Sequence, residues 1–385
     1  MSRTGAERFP RLFYVVVPAA AVLATLLALE LGLALLRPVA YASEVNMYFE
    51  ANAHTGFLPR PNSRGRYPRG MPANTNRHGH RDDETSLEKP EGVFRILVLG
   101  DSVTVGANVH REDAYAHRLE RRLVERFGPG AEVVNAAVGG FGPFQYAQYF
   151  EHHGRAFQPD IVVIGFFVGN DTLDQRARVD ELPTAFYGRR VRPEAARPGR
   201  RWRTKLKVVL YTHSHLARLV VNRSRPAFEP RELGYRAGES EPRDSARLSD
   251  VYLARSLRTI ANHAVDSPAQ RARLENGIAQ IRRIRDLARG ESIPVVVLIP
   301  DEAQVNGFLG AHLRRASAPQ PLDFAMPQAA LAPDFRALGI ETIDLRETFR
   351  SDERRLFMDD GHLNPEGHEL VAAELARVLA RLIPD

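Results

Sequence analysis

The chain changes its pattern of apolar and polar positions three times. Between 12 and 36 (LFYVVVPAAAVLATLLALELGLALL) no position but Glu30 carries a charge, and about 20 such residues suffice to cross a hydrocarbon core as a helix. From Phe94 onward, short aliphatic runs recur: FRILVLG from Phe94, AEVVNAAV from Ala131, DIVVIGFFV from Asp160, IPVVVLIP from Ile293 and IETIDL from Ile340. Segments with helical spacing separate them, such as EDAYAHRLERRLVERFG from Glu112 and NPEGHELVAAELARVLARLI from Asn364. Runs apolar on both faces and divided by helices predict an α/β, doubly wound (flavodoxin-like) parallel sheet of about five strands covered by helices. Such sheets bind ligands at the carboxyl ends of their strands.

Two stretches break that rhythm. Residues 43–93 are rich in Pro, Asn and Arg, and read as a stalk leading into short strands packed on the main domain. An insertion at about 175–250 carries GRRVRPEAARPGRRWRTKLK from Gly188, then VVLYTHSHLARLVVNR, which predicts one amphipathic helix. It reads either as a lid or as a basic excursion near an anionic membrane surface. The expected order is a cytoplasmic tail (1–11), an anchor (12–36), the stalk and a catalytic domain (94–385).

Charge sharpens this picture. Arg3, Arg8 and Arg11 precede the apolar run and only Arg37 closely follows it, so the positive-inside bias places the tail in the cytoplasm and the rest in the periplasm, on an inner-membrane anchor. Ala40-Tyr41-Ala42 resembles a signal-peptidase site, but the run is longer than a usual signal core, and a retained anchor is expected. The net charge is +6, yet the basic residues are nearly all Arg and form no finger spacing, ribonucleoprotein motif or basic helix; nucleic acid is not an expected partner. The chain has no Cys, which excludes disulfides, thiolate metal sites and a Cys nucleophile. The pairs His78/His80, His152/His153 and His213/His215 lack converging carboxylates, so no metal is expected, and no cofactor fingerprint is present.

Four short elements carry candidate chemistry. Gly100-Asp101-Ser102 ends the first core run; Ser102, followed by a predicted helix start, fits a helix cap as well as a nucleophile. NAAVGGFGPFQ follows the second run and places Gly139, Gly140 and Gly142 where backbone N–H groups can approach an oxyanion. FFVGNDTLD ends the third run with Asn170 and Asp171, an amide donor beside a carboxylate. MDDGHLNPEGHEL places Asp359, Asp360 and His362 before a Pro-started helix, and a neutral His oriented by a carboxylate is the usual base for a Ser hydroxyl. Each has a bland reading as turn or cap; all four fall in order at strand ends.

These four blocks resemble the SGNH (GDSL-type) hydrolase superfamily over about 94–383, apart from the insertion. The resemblance implies Ser102 as nucleophile and first oxyanion donor, Gly140 as second, Asn170 as third and His362 as base. Val168 stands where the family usually has Gly in Gly-x-Asn-Asp. The commoner Asp-x-x-His spacing selects Asp359 as the triad acid, which is the acid expected here; Asp-x-His would select Asp360. HTGFLPRPNSRG, TNRHGHRD and KPEGVFRILVLGDS resemble the lead-in of membrane-anchored members thought to act on envelope glycans. The implied activity is removal of an acyl group, such as acetyl, from a carbohydrate or lipid-linked glycan. The alternatives are transfer of that group to a periplasmic glycan, which would require a multi-pass membrane partner to deliver the donor, and an idle glycan-binding scaffold.

Overall fold

The computed structural model describes residues 13–39, 48–67, 70–186, 189–223, 242–244, 248–265 and 268–383. The predicted tail with Arg3, Arg8 and Arg11, the Ala40-Tyr41-Ala42 stretch and 224–241 of the insertion lie outside the described residues. Helix α1 (Phe13–Leu36) is long and apolar enough to cross a bilayer, and it stands apart from the core with none of its residues buried.

The strands are β1 (Phe49–Asn52), β2 (Gly56–Pro59), β3 (Phe94–Gly100), β4 (Ala131–Asn135), β5 (Ile161–Phe167), β6 (Thr184–Phe186), β7 (Arg189–Val191), β8 (Ile293–Ile299) and β9 (Glu341–Asp344). Five of them form one parallel sheet in the order β4-β3-β5-β8-β9. That is the doubly wound 2-1-3-4-5 arrangement, whose direction reverses between β3 and β5, where such folds open a crevice. Both faces are covered, so strand residues of either parity are apolar. One face packs Ile96, Val98 and Val163 against Leu119 and Leu123 of α2 (Tyr115–Phe127) and Leu375 of Pro365–Leu379. The other packs Leu97, Leu99 and Ile164 against Tyr146 and Phe150 of α3 (Pro143–His152), Ile281 of Pro268–Ala288 and Phe335 of Met326–Ala337.

The hairpin β1–β2 pairs antiparallel, as does β6–β7, and β6 packs beside β1. From the lead-in, the buried Arg81 donates through Nη1 to Val105 O (3.1 Å) and Gly106 O (2.8 Å) and through Nη2 to Val109 O (2.8 Å). This segment therefore clamps the loop that follows β3. After β5 comes the single turn α4 (Val168–Asp171). In the insertion the expected single helix is two, α5 (Arg201–His213) and α6 (His215–Arg223). The break falls at Ser214, whose Oγ accepts the N–H of Ala217 and starts the second helix.

Candidate active site

Ser102 does not cap a helix. The chain leaves β3 into turns closed by Val105 N–H to Asp101 O and Ala107 N–H to Ser102 O, and α2 begins only at Tyr115. The tight exit depends on Gly100, because a Cβ there would lie 2.0 Å from Thr104 Oγ1. Thr104 is fully buried and takes a hydrogen bond from Tyr115 Oη (2.9 Å), which fixes the turn from below. Ser102 Oγ is 2.9 Å from His362 Nε2, the reach that proton transfer from a serine requires.

Across the imidazole, Nδ1 lies 3.1 Å from Asp360 Oδ1. The carboxylate is near enough to hold the ring and to favour its protonated form. The backbone fixes the partnership. Met358 and His362 close a turn through Met358 N–H to His362 O (2.8 Å), with Gly361 at a φ of 82°, a left-handed value that suits glycine. This folds the ring back over Asp360, whose Oδ1 also accepts the His362 N–H (3.1 Å). Oδ2 takes Asn108 Nδ2 (2.7 Å), tying the carboxylate to the nucleophile loop.

The expectation of Asp359 is corrected by this geometry. Its side chain points away from His362 to Arg355 (2.7 Å), a guanidinium that also pairs with the buried Glu302 (2.7 Å). The two-residue step through Gly361 reaches the ring, whereas Asp359 is committed to a buried ion network. Burial opposes charge on His362, but Asp360, and then Asp101, outweigh it and hold the imidazole above its ordinary pKa.

The donors expected for an oxyanion converge on the same edge. Gly139 packs on the nucleophile, since a Cβ on it would come 3.7 Å from Ser102 Cβ. Gly140 has a φ of 87°. The N–H groups of Ser102 and Gly140 donate to no other group among the described residues. Asn170 Nδ2 donates to Asp101 Oδ2 (2.7 Å), which leaves its second amide hydrogen for a ligand. Val168 in place of glycine does not disturb this: it is wholly buried, and the turn Val168–Asp171 still presents Asn170. Asp171 instead points inward to Tyr146 Oη (3.0 Å).

Two participants escaped sequence reasoning. Asp101 is fully buried, accepts Val103 N–H (2.8 Å) and orients Asn170; burial raises its pKa, against the Asn170 hydrogen bond. An acidic residue held between Gly100 and Ser102 at a strand end was its only signal. Arg190, on β7 in the insertion, donates to Gly139 O (2.6 Å) and lies over the rings of Phe49 and Phe57. That carbonyl shares a peptide unit with the Gly140 N–H, so the guanidinium polarises the donor. Nothing in the sequence marks this arginine among its basic neighbours.

The histidine pairs serve elsewhere. His80 Nε2 meets Tyr149 Oη (2.5 Å), His78 Nε2 meets Thr85 O (2.7 Å), His152 stacks on His54, His153 Nε2 meets Asn52 Nδ2 (3.2 Å), and His215 Nδ1 accepts Val39 N–H (2.9 Å). His213 is exposed.

No curated protein matches the chain. Among solved structures it is similar to a GDSL-like lipase from Bacteroides thetaiotaomicron (9% identity, 77% of this chain and 93% of that one, TM-score 0.37). It is also similar to a lipase/acylhydrolase from Enterococcus faecalis (13%, 76% and 98%, TM-score 0.39) and to an acetylxylan esterase from Geobacillus stearothermophilus (12%, 75% and 95%, TM-score 0.36). The profile of the GDSL-like lipase/acylhydrolase family matches residues 98–370, from the end of β3 into the last helix. The chain belongs to the GDSL-like lipase/acylhydrolase family and is an SGNH-type serine ester hydrolase.

Proposed function

We propose that this protein is an envelope-facing esterase, held to the inner membrane by α1, that removes acyl groups such as acetyl from a carbohydrate or glycolipid. The observation that carries the reading is the Ser102–His362 contact of 2.9 Å at the open carboxyl edge of the sheet, with Asp360 behind the ring. Ser102 Oγ attacks the ester carbonyl carbon while His362 Nε2 takes its proton. The tetrahedral oxyanion rests on the N–H groups of Ser102 and Gly140 and on Asn170 Nδ2. His362 then returns the proton to the leaving alkoxide, and water attacks the acyl-enzyme with His362 again as base.

The polar surroundings favour a sugar ester. The exposed Arg190 guanidinium stands beside Gly139; a guanidinium matches a hydroxyl-rich partner better than an acyl chain. The test is a fluorophosphonate label, followed by acetylated sugars set against short- and long-chain aryl esters. Labelling of the wild type but not of Ser102→Ala, with faster turnover of acetylated sugars, supports the reading. Preference for long acyl chains sinks the substrate assignment, and acetyl appearing on an added glycan rather than as free acetate replaces hydrolysis with transfer.

A further inference from the structure

Helices α5 and α6 are polarised along their length. In α5 the basic residues Arg201, Arg203, Lys205 and Lys207 occupy the first half, and Val208, Val209, Leu210 and Tyr211 the second. In α6 the order reverses: Leu216, Leu219, Val220 and Val221 come first, Asn222 and Arg223 last. The two apolar ends therefore meet at the tip, His213–Ser214–His215. A helix lying flat on a membrane is polarised around its circumference; one that enters steeply is polarised end to end. Leu206, Leu210 and Val220 are 50%, 46% and 63% exposed, so this surface is not core.

The tip sits against α1, at the one charged position of the apolar run. Glu30 accepts from Ser214 Oγ (2.7 Å), His215 N–H (2.5 Å) and Leu216 N–H (3.0 Å). Val39 N–H, just beyond α1, donates to His215 Nδ1 (2.9 Å). Arg218, the basic residue within the apolar half of α6, is buried and donates to Thr212 O (2.8 Å), one of the terminal carbonyls of α5. Glu30 lies six residues inside the end of α1, about 9 Å along a helix that rises 1.5 Å per residue. With α1 spanning, the tip lies below the membrane surface, and its polar groups and Glu30 satisfy one another where water does not.

We propose that α5–α6 is a helical hairpin embedded in the leaflet from which α1 emerges, its tip locked by Glu30 and the basic first half of α5 among anionic lipid headgroups. This rests on the reading of α1 as a membrane span. The partner is an anionic bilayer: the four basic residues of α5 fall in the half away from the tip, where phosphates lie, while the apolar halves of both helices match acyl chains. Because β7 and Arg190 begin the same insertion, the hairpin also sets the catalytic edge close to the membrane.

The absence of Cys allows single nitroxide labels on the full chain, reconstituted in phosphatidylcholine/phosphatidylglycerol vesicles. Labels at Leu27→Cys (α1), Leu206→Cys, Leu210→Cys and, as an aqueous control, Arg289→Cys are compared by collision with oxygen and with a water-soluble nickel chelate. Leu27 and Leu210 should favour oxygen, Leu206 should lie shallower, and Glu30→Leu should raise nickel access at Leu210 by threefold or more. If Leu210 matches Arg289 while Leu27 stays in lipid, the hairpin is solvated and the proposal fails with the anchor intact. If Leu27 itself is aqueous, the membrane span falls and the hairpin with it. A Leu210 label shielded from both relaxants indicates a protein cover and also overturns the proposal.

Discussion

At the carboxyl edge of the sheet, polar side chains turn inward and each is held by a named partner: Asp101 on Val103 and Asn170, Asp360 on Asn108 and His362, Arg81 on three carbonyls of the nucleophile loop. In the insertion the polarity is reversed. Apolar side chains such as Trp202, Leu206 and Val220 face outward, and the basic residues crowd the first half of α5. The difference teaches where each region draws its order. The edge is ordered by the sheet beneath it, because β3 and β5 are buried on both faces and fix the exits of Ser102 and Asn170. Within the insertion, the hairpin β6–β7 packs on β1 and β2 and carries Arg190 to Gly139, while α5 and α6 reach α1 through the polar contacts around Glu30.

The two regions should respond to substitution on different scales. Ser102→Ala should abolish ester turnover and the fluorophosphonate adduct while leaving the thermal transition in place. Asp360→Asn should lower kcat by about 10³–10⁴, the scale for losing the carboxylate that orients a triad histidine. Removal of the amide in Asn170→Ala should lower kcat by about 10²–10³ with KM nearly unchanged, as for loss of one oxyanion donor. Arg190→Ala, which removes a polarising charge but no donor, should cost about tenfold in kcat, and Arg190→Lys should recover part of it. If Arg190→Ala matched Asn170→Ala, the insertion would belong to the catalytic edge and the contrast would break. Asp359→Asn should leave kcat almost untouched and instead destabilise the fold by about 1–3 kcal/mol, the cost of a buried hydrogen-bonded group left short of a partner; thermal melting beside steady-state rates separates the two effects.

Much of the edge was legible because the core strands and the site residues obey separate, local rules. The runs from Phe94, Ala131, Asp160, Ile293 and Ile340 correspond to β3, β4, β5, β8 and β9, since strands buried on both faces must be apolar at every position. Ser102, Gly140, Asn170 and His362 were visible as small or polar residues just past those runs. The acid was not: whether Asp359 or Asp360 meets the ring depends on the left-handed turn at Gly361 and on Arg355, a buried partner that spacing does not reveal. The helix read from Glu112 begins at Tyr115, and Ser102 is left on turns away from its start because Thr104 packs back under Gly100 and the loop is held by Arg81. In the insertion, amphipathic periodicity suggested one helix across His213–His215; the break at Ser214 follows from Glu30, a residue 184 positions away, which no local pattern could supply.

The central claim, that Ser102, His362 and Asp360 act as one unit, is tested most directly by the pH dependence of kcat/KM for the wild type, Asp359→Asn and Asp360→Asn. His362 must be neutral to accept the serine proton, so the rate rises with pH through its pKa in the free enzyme. Asp360 holds that pKa above the ordinary imidazole value; the wild-type acid limb should lie above about 6.5. In Asp360→Asn the limb should move to lower pH as the plateau collapses, and in Asp359→Asn neither should change. A profile in which Asp359→Asn loses the plateau and shifts the limb, while Asp360→Asn follows the wild type, would contradict the account.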